Sequence, residues 1–313
     1  LLSAVALFAT GSFWPVLLLY TLQGAVYSPY VPITEAIMLS GVRRWNFDYG
    51  RMRLWGSLAF ILATMTGGWL AGLYGGDMVL PAMAAAFVLT VLGAMIAPRI
   101  GKPRRPSPIS AIATMPTKST LRQWAVQLML IGVSLVNASH AMLFAFSAIY
   151  WQKMGFSGVD VGILWSAGVL AEVVFFLFAV QLRQRFNLWS MMIVGGGVAV
   201  ARWILFPMEM SFAGYFVLQC LHAFTYALIH MSAQSRLVER VAEEQEAAAQ
   251  GLYFFYTGMF TAIATFVSGY TFSWYGVQGF YLMSLVAAAG LVAIIAGRVV
   301  APRAQPQRAA SGG

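Results

Sequence analysis

Long runs of apolar residues, separated by short polar segments, occupy almost the whole chain. The runs fall at residues 1–13, 14–39, 52–73, 78–97, 123–150, 157–180, 187–206, 211–233, 248–273 and 277–297. Most are close to the ~20 residues that a helix needs to cross a hydrocarbon core of about 30 Å. Strands of a membrane barrel would instead alternate polar and apolar residues over segments of about ten. The pattern therefore predicts an all-α membrane protein with about ten helices.

The composition agrees with this prediction. The 313 residues are 60% hydrophobic and only 9% charged, and the mean hydropathy is +0.75. Soluble domains carry about 25% charged residues, so the medium around this protein is lipid. The first run is too short to span a bilayer, and we interpret it as the end of a helix that begins before Leu1.

The placement of the basic residues predicts the orientation. If each run crosses the membrane once, seventeen of the 19 Lys and Arg residues fall on one side: Arg43, Arg44, Arg51, Arg53, Arg99, Lys102, Arg104, Arg105, Lys118, Arg122, Arg183, Arg185, Arg236, Arg240, Arg298, Arg303 and Arg308. Only Lys153 falls on the other side, and Arg202 lies inside a run. The basic side of a membrane protein faces the cytoplasm. The net charge of +9 thus reflects orientation, and no nucleic-acid partner is expected.

One long polar connection divides the chain. It is basic and rich in Pro and Ser, as is typical of a flexible linker. We therefore predict an incomplete N-terminal helical bundle at 1–97, a cytoplasmic linker at 98–122, a six-helix C-terminal bundle at 123–300 and a disordered cytoplasmic tail at 301–313.

Five blocks of sequence are distinctive. They are DYGRMRLWGSLAF (Asp48–Phe60), SHAMLFAFSAIYWQKMGFS (Ser139–Ser157), VGILWSAGVLAEVVFF (Val161–Phe176), VARWILF (Val200–Phe206) and LQCLHAF (Leu218–Phe224). These blocks closely resemble the phenylpropionate permease family of the major facilitator superfamily. The resemblance implies a two-bundle fold, of which this chain covers the end of helix three to helix twelve. It also implies a monomeric transporter of the bacterial inner membrane that works by alternating access.

Glu172 is the most unusual residue of the apolar runs, because it lies near the middle of one of them. A carboxylate there costs roughly 2.5–3.5 kcal/mol on insertion scales and is usually functional. One interpretation is a structural hydrogen bond to a neighbouring helix. The other is a proton site that loads and unloads as a cavity alternates between the two sides.

Two histidines are candidates for the same cavity. His140 shares a helix face with Asn137 and Phe144, and the resemblance implies that this helix lines the cavity. There it could bind a substrate carboxylate or carry a proton. A satisfied bond between helices is the alternative.

His222 forms one polar stripe with Gln219 and Tyr226 on a second helix that the resemblance places at the cavity. Tyr256 is a further candidate for substrate binding. Arg202 cannot lose its charge inside the membrane, so it must find a partner. It either pairs with Glu209 or binds an anionic substrate.

The residues near the cytoplasmic ends suggest a gate. Glu35 follows Pro29 and Pro32, which loosen a helix by removing backbone donors. Gating, or an ion pair of Glu35 with Arg51 or Arg53, is more consistent with this position than substrate contact. Asp48, Arg51 and Arg53 could brace the gate, although the cytoplasmic excess of basic residues explains the arginines equally well.

Secondary transport is the function class that the sequence favours, because it requires neither a catalytic motif nor a cofactor. The sequence contains no HExxH, GxSxG or Walker A motif, and its three His and single Cys make a catalytic metal site improbable. We therefore expect no enzyme activity and no cofactor. The hypothesis is proton symport of a small organic acid such as 3-phenylpropionate. The alternatives are transport of a nucleoside or sugar, or export of a drug-like molecule.

Overall fold

A computed structural model describes residues 2–74, 76–97 and 120–301. These residues are almost entirely helical, which confirms the all-α prediction. The α-helices run in the order α1 (Leu2–Ala6), α2 (Phe13–Tyr27), α3 (Tyr30–Trp45), α4 (Tyr49–Tyr74), α5 (Val79–Ile96), α6 (Trp124–Ala138), α7 (Ala141–Lys153), α8 (Gly158–Leu177), α9 (Ala179–Arg185), α10 (Leu188–Leu205), α11 (Phe212–Cys220), α12 (Ile229–Arg240), α13 (Glu246–Tyr275) and α14 (Phe280–Val300).

By length and composition, six segments of the described residues are able to cross a membrane. They are Phe13–Trp45, Trp124–Lys153, Gly158–Leu177, Leu188–Leu205, Phe212–Arg240 and Glu243–Val300. The last has 58 residues and joins α13 to α14, so it is long enough to cross twice. The predicted tail and most of the linker, at 302–313 and 98–119, lie outside the described residues.

Several of the predicted continuous helices are interrupted, and three of these interruptions lie near the polar side chains described below. The first interruption falls at Ser28 and Pro29, between α2 and α3, where a proline predicted a weak point. The second separates α6 from α7 at Ser139 and His140. The third is a π-helical segment, Ala223–Leu228, between α11 and α12. In membrane transporters, interrupted helices expose backbone groups that bind ligands and ions.

The C-terminal bundle packs around α6, α10, α13 and α14. At the crossing of α6 and α14, a Cβ atom on Gly132 or Gly290 would lie 2.6 Å from the carbonyl oxygen of the other residue. Small residues of this kind allow helix backbones to approach closely in membranes. The core also contains a large aromatic cluster, in which the Phe206 and Phe280 rings stack with centroids 4.0 Å apart.

The N-terminal helices pack onto this bundle at two places. Helix α4 lies against α8, and α3 lies against α13. At the basic end of α3, Arg43 pairs with Glu246 at 2.8 Å and Arg44 pairs with Glu243 at 2.6 Å. These contacts bring α3 and α4 beside α8, α12 and α13, and the polar side chains described below lie between them.

Candidate functional site

Arg202 is the centre of a buried polar network. Its side chain, on α10, is fully buried, and its guanidinium group lies 4.7 Å from the centroid of the Trp203 ring. One terminal nitrogen, Nη2, donates to Gln219 Oε1 at 2.6 Å. The other, Nη1, donates to Thr225 Oγ1 at 3.1 Å and contacts His222 Nδ1 at 3.3 Å. The expected alternative, a pair with Glu209, is absent from the ion pairs of the described residues, and Glu209 is exposed.

His222 connects this arginine to Glu172. Its Nε2 atom lies 2.9 Å from Glu172 Oε1, and Glu172 is only 7% exposed. Because a guanidinium group only donates hydrogen bonds, His222 Nδ1 must accept, and the histidine proton resides on Nε2. A neutral His222 therefore donates to Glu172. Arg202, His222 and Glu172 form a hydrogen-bonded chain with a cation at one end and a carboxyl group at the other.

His140 lies behind this chain, at the break between α6 and α7. It is 1% exposed, and its Nδ1 atom contacts the carbonyl oxygens of Val136 and Asn137 at 3.1 and 3.2 Å. The Nε2 atom is 2.9 Å from Thr225 Oγ1. The same Thr225 oxygen accepts a hydrogen bond from Arg202. His140 thus reaches the arginine through Thr225.

A cavity of about 430 Å³ adjoins the network. The size suits a small organic molecule, since ligand pockets commonly have volumes of about 300–1,000 Å³. Five candidate residues for substrate binding line the cavity: Phe144, Arg202, Gln219, His222 and Tyr226. Glu172, Arg53, Phe60 and Trp165 also line it. The Phe144 and Trp165 rings stack with centroids 5.8 Å apart.

Two substrate-binding candidates make structural contacts elsewhere. Asn137 Nδ2 donates to the Tyr253 hydroxyl at 2.9 Å. The Tyr256 hydroxyl donates to Gln127 Oε1 at 2.6 Å. Both bonds join α6 to α13, and neither residue is among those that line the cavity. Among the described residues, no group of three or more His, Cys, Asp and Glu side chains is arranged to hold a metal ion.

The gating candidates separate into two groups. Asp48 Oδ1 accepts from the backbone N–H of Arg51 at 2.8 Å, so it caps the start of α4, and Arg51 is exposed. Glu35 is 4% exposed, and its Oε1 atom lies 4.0 Å from Arg53 Nε. Arg53 also lies on the cavity wall, as does Tyr226.

Sequence reasoning missed His230, because its position near the cytoplasmic end of the run at 211–233 predicts a residue of the membrane interface. The residue is 3% exposed, with Nε2 2.8 Å from the Tyr49 hydroxyl and Nδ1 3.1 Å from the Tyr253 hydroxyl. Its spacing from His222 and Tyr226 was the available clue, because positions four apart share a helix face. Tyr226 stacks between the two histidines, with interplanar angles of 7° and 2°.

A cavity bounded by two packed groups of membrane helices, with polar side chains from interrupted helices, is the arrangement expected of a transporter. The family model described as "MFS_1 like family" matches residues 1–283. The chain belongs to this family. It is therefore a multi-pass membrane transporter with the major facilitator fold, and it is not an enzyme.

Three proteins show what the chain resembles. A probable 3-phenylpropionic acid transporter of Escherichia coli (strain K12) is 31% identical over 270 residues, which cover 83% of this chain and 68% of the relative. The maltose permease of Geobacillus stearothermophilus is 25% identical, over 64% of this chain and 50% of the permease. An uncharacterized transporter of Bacillus subtilis (strain 168) is 24% identical, over 83% of this chain and 64% of the relative. The matches thus span between half and about two thirds of the relatives' own lengths.

Proposed function

We propose that this protein is a proton-coupled symporter of a small aromatic organic acid such as 3-phenylpropionate. The observation that carries the proposal is the chemistry of the cavity wall. Phe60, Phe144 and Trp165 offer aromatic surface, while Arg53 and Arg202 contribute two guanidinium groups beside a single carboxyl group, Glu172. Such a wall suits a ligand with one ring and one negative charge.

The cations lie on different helices, which suits a transport cycle. Arg53 belongs to α4 and Arg202 to α10, so an anion between them touches both groups of helices. A ligand that contacts both halves has different contacts when the halves move, and this difference is what couples binding to the change of access. We infer that the basic end faces the cytoplasm of a bacterial cell.

Glu172 is the acceptor for the coupled proton in this proposal. His222 cannot take a second proton without losing the hydrogen bond from Arg202, because both its nitrogens would then donate. The carboxyl group has a further oxygen and lies on the cavity wall. His140 supports the site by holding Thr225 against Arg202.

A neutral sugar is the second candidate, because one relative is named a maltose permease. Sugar recognition depends on hydrogen-bonding groups, and Gln219, His222 and Tyr226 on this wall would provide them. The two guanidinium groups favour the acid, since neither is needed to bind a neutral ligand.

Uptake into proteoliposomes tests the proposal. We expect the full-length protein to accumulate labelled 3-phenylpropionate when an inward proton gradient is imposed, and a protonophore to abolish the accumulation. Labelled maltose and protein-free vesicles are the controls, because a weak aromatic acid also crosses lipid unaided. Accumulation of maltose but not of the acid would replace the proposal by its alternative.

Changing Arg53 to glutamine is expected to weaken binding of the acid rather than folding. A hydrogen bond to a charged group contributes about 1.5–3 kcal/mol, so we expect the KM for 3-phenylpropionate to rise about tenfold or more. The matched control is Arg183→Gln, which removes an exposed arginine of the same basic side. An unchanged KM in initial-rate uptake assays would remove Arg53 from the binding site.

A further inference from the structure

Glu35 lies in a second polar cluster, which shares Arg53 with the cavity wall. Tyr49, on α4, donates its hydroxyl proton to Glu35 Oε2 at 2.8 Å. Arg53, also on α4, lies 4.0 Å from the other carboxyl oxygen. An ionisable residue inside a membrane bundle is costly, and by default it indicates a functional site. The proposed function uses Glu172 and gives no role to the buried carboxyl group of Glu35.

His230 extends the cluster across the boundary between the two helix groups. Its Nε2 atom is 2.8 Å from the Tyr49 hydroxyl and 3.7 Å from Glu35 Oε1. On the other side of the ring, Nδ1 is 3.1 Å from the Tyr253 hydroxyl, which accepts from Asn137 Nδ2. Glu35 is thus connected through Tyr49 and His230 to α13 and α6.

The partners fix the direction of these hydrogen bonds. The Tyr49 hydroxyl donates to Glu35, so its oxygen accepts from His230 Nε2–H. The neutral His230 then has an unprotonated Nδ1, which accepts the hydroxyl proton of Tyr253. Every bond in this chain points toward Glu35, and the chain ends on a carboxylate.

We propose that Glu35 is a second proton-binding site of the transport cycle, and that His230 and Tyr49 conduct the proton to it. Tyr253 passes its hydroxyl proton to Nδ1 of His230 and regains a proton from water, and the Nε2 proton of His230 passes to the Tyr49 oxygen. Tyr49 passes its own proton to Glu35. His230 and Tyr49 end neutral with their hydrogen bonds reversed, and Glu35 has gained one proton.

The position of this site gives it a distinct use. His230 is about two helical turns from His222, with the Tyr226 ring stacked between them. His222 lies beside the Glu172 carboxyl group, and His230 lies beside that of Glu35. The Glu172 site adjoins the cavity, whereas the Glu35 site lies nearer the basic end. The inference rests on the proposed function, because a second proton site serves only a transporter that moves protons.

An infrared titration of the full-length protein in detergent, without substrate, tests the inference. Protonated carboxyl groups have a C=O stretch separate from that of carboxylates. We expect Glu35→Gln to remove one titrating band that Glu172→Gln leaves in place. The exposed control Glu209→Gln should leave the bands of both Glu35 and Glu172 in place. A Glu35→Gln spectrum that superimposes on the wild-type spectrum at every pH would overturn the proposal.

Tyr49→Phe tests the conducting role while retaining the ring. After a pH jump, we expect protonation of Glu35 to slow about 100-fold, which is the lower end of what a positioned proton donor contributes. The control is Tyr150→Phe, which removes a buried hydroxyl that lies 3.0 Å from the Tyr215 hydroxyl. An unchanged rate in Tyr49→Phe would contradict the conducting role. These infrared measurements use no substrate, so they test the inference separately from the proposed function. If the wild-type protein shows the Glu35 band but no proton-driven uptake, only the proposed function is contradicted.

Discussion

Arg202→Met is expected to abolish uptake of 3-phenylpropionate and to lower the free energy of unfolding by roughly 3–5 kcal/mol. The methionine fills similar space but removes the only cation of the Arg202–His222–Glu172 chain. The Glu172 carboxylate then remains buried without compensation, and Gln219 and Thr225 lose a donor. Thermal unfolding of the purified protein and initial uptake rates measure the two effects.

The double variant Arg202→Met/Glu172→Gln separates charge from packing. Because it removes both charges, we expect it to regain most of the lost stability without regaining proton-driven uptake. Arg298→Met, which changes an exposed arginine at the end of α14, is the matched control. If the single variant Arg202→Met unfolds at the wild-type temperature, the positive charge of Arg202 does not stabilise the buried Glu172 carboxylate.

Glu172→Gln is expected to eliminate uphill accumulation while preserving exchange. The glutamine oxygen can still accept from His222 Nε2–H, so the cavity wall keeps its hydrogen bonds. The amide cannot bind a proton at physiological pH, so a proton gradient no longer drives the substrate. Counterflow, in which unlabelled substrate inside the vesicles exchanges for labelled substrate outside, should continue near the wild-type rate.

The exposed acid Glu209 is the natural control for this change, since Glu209→Gln removes a carboxyl group that does not line the cavity. Should Glu172→Gln still concentrate the substrate against its gradient, the coupled proton must bind elsewhere. Loss of both accumulation and counterflow, with normal unfolding, would assign Glu172 to substrate binding instead.

The helical segments were predictable because a helix that crosses lipid needs a long apolar run, and such runs are visible in the sequence. The stripe of Gln219, His222 and Tyr226 was predictable for a related reason: helical periodicity alone places these side chains on one face. All three lie on the wall of the cavity. Their exact roles are still predictions.

Unlike the break at Pro29, the break between α6 and α7 was not predictable, because tertiary contacts stabilise it. At the junction of α6 and α7 the Trp203 Nε1–H donates to Ser139 Oγ at 2.8 Å, and neither glycine nor proline marks the position. The partner of Arg202 was missed for a similar reason. Glu209 is its neighbour in sequence, but Gln219 and His222 reach it from the next helix.

His230 shows the limit of reasoning from one helix at a time. Its position near the end of a membrane segment suggested an interfacial residue. The residues that bury it, Tyr49 and Glu35, come from the opposite group of helices. The ion pairs of Arg43 with Glu246 and of Arg44 with Glu243 likewise join segments far apart in the chain. Contacts of this kind depend on how the helices assemble, which periodicity does not reveal.

The most direct test of the central claim is to record proton and substrate movement in the same vesicles. Proteoliposomes containing the full-length protein and an internal pH-sensitive dye receive labelled 3-phenylpropionate from outside, with no imposed proton gradient. The account predicts internal acidification that accompanies substrate entry, exceeds that of protein-free vesicles and disappears in Glu172→Gln. Protein-dependent entry of the substrate with no accompanying change in internal pH would contradict it.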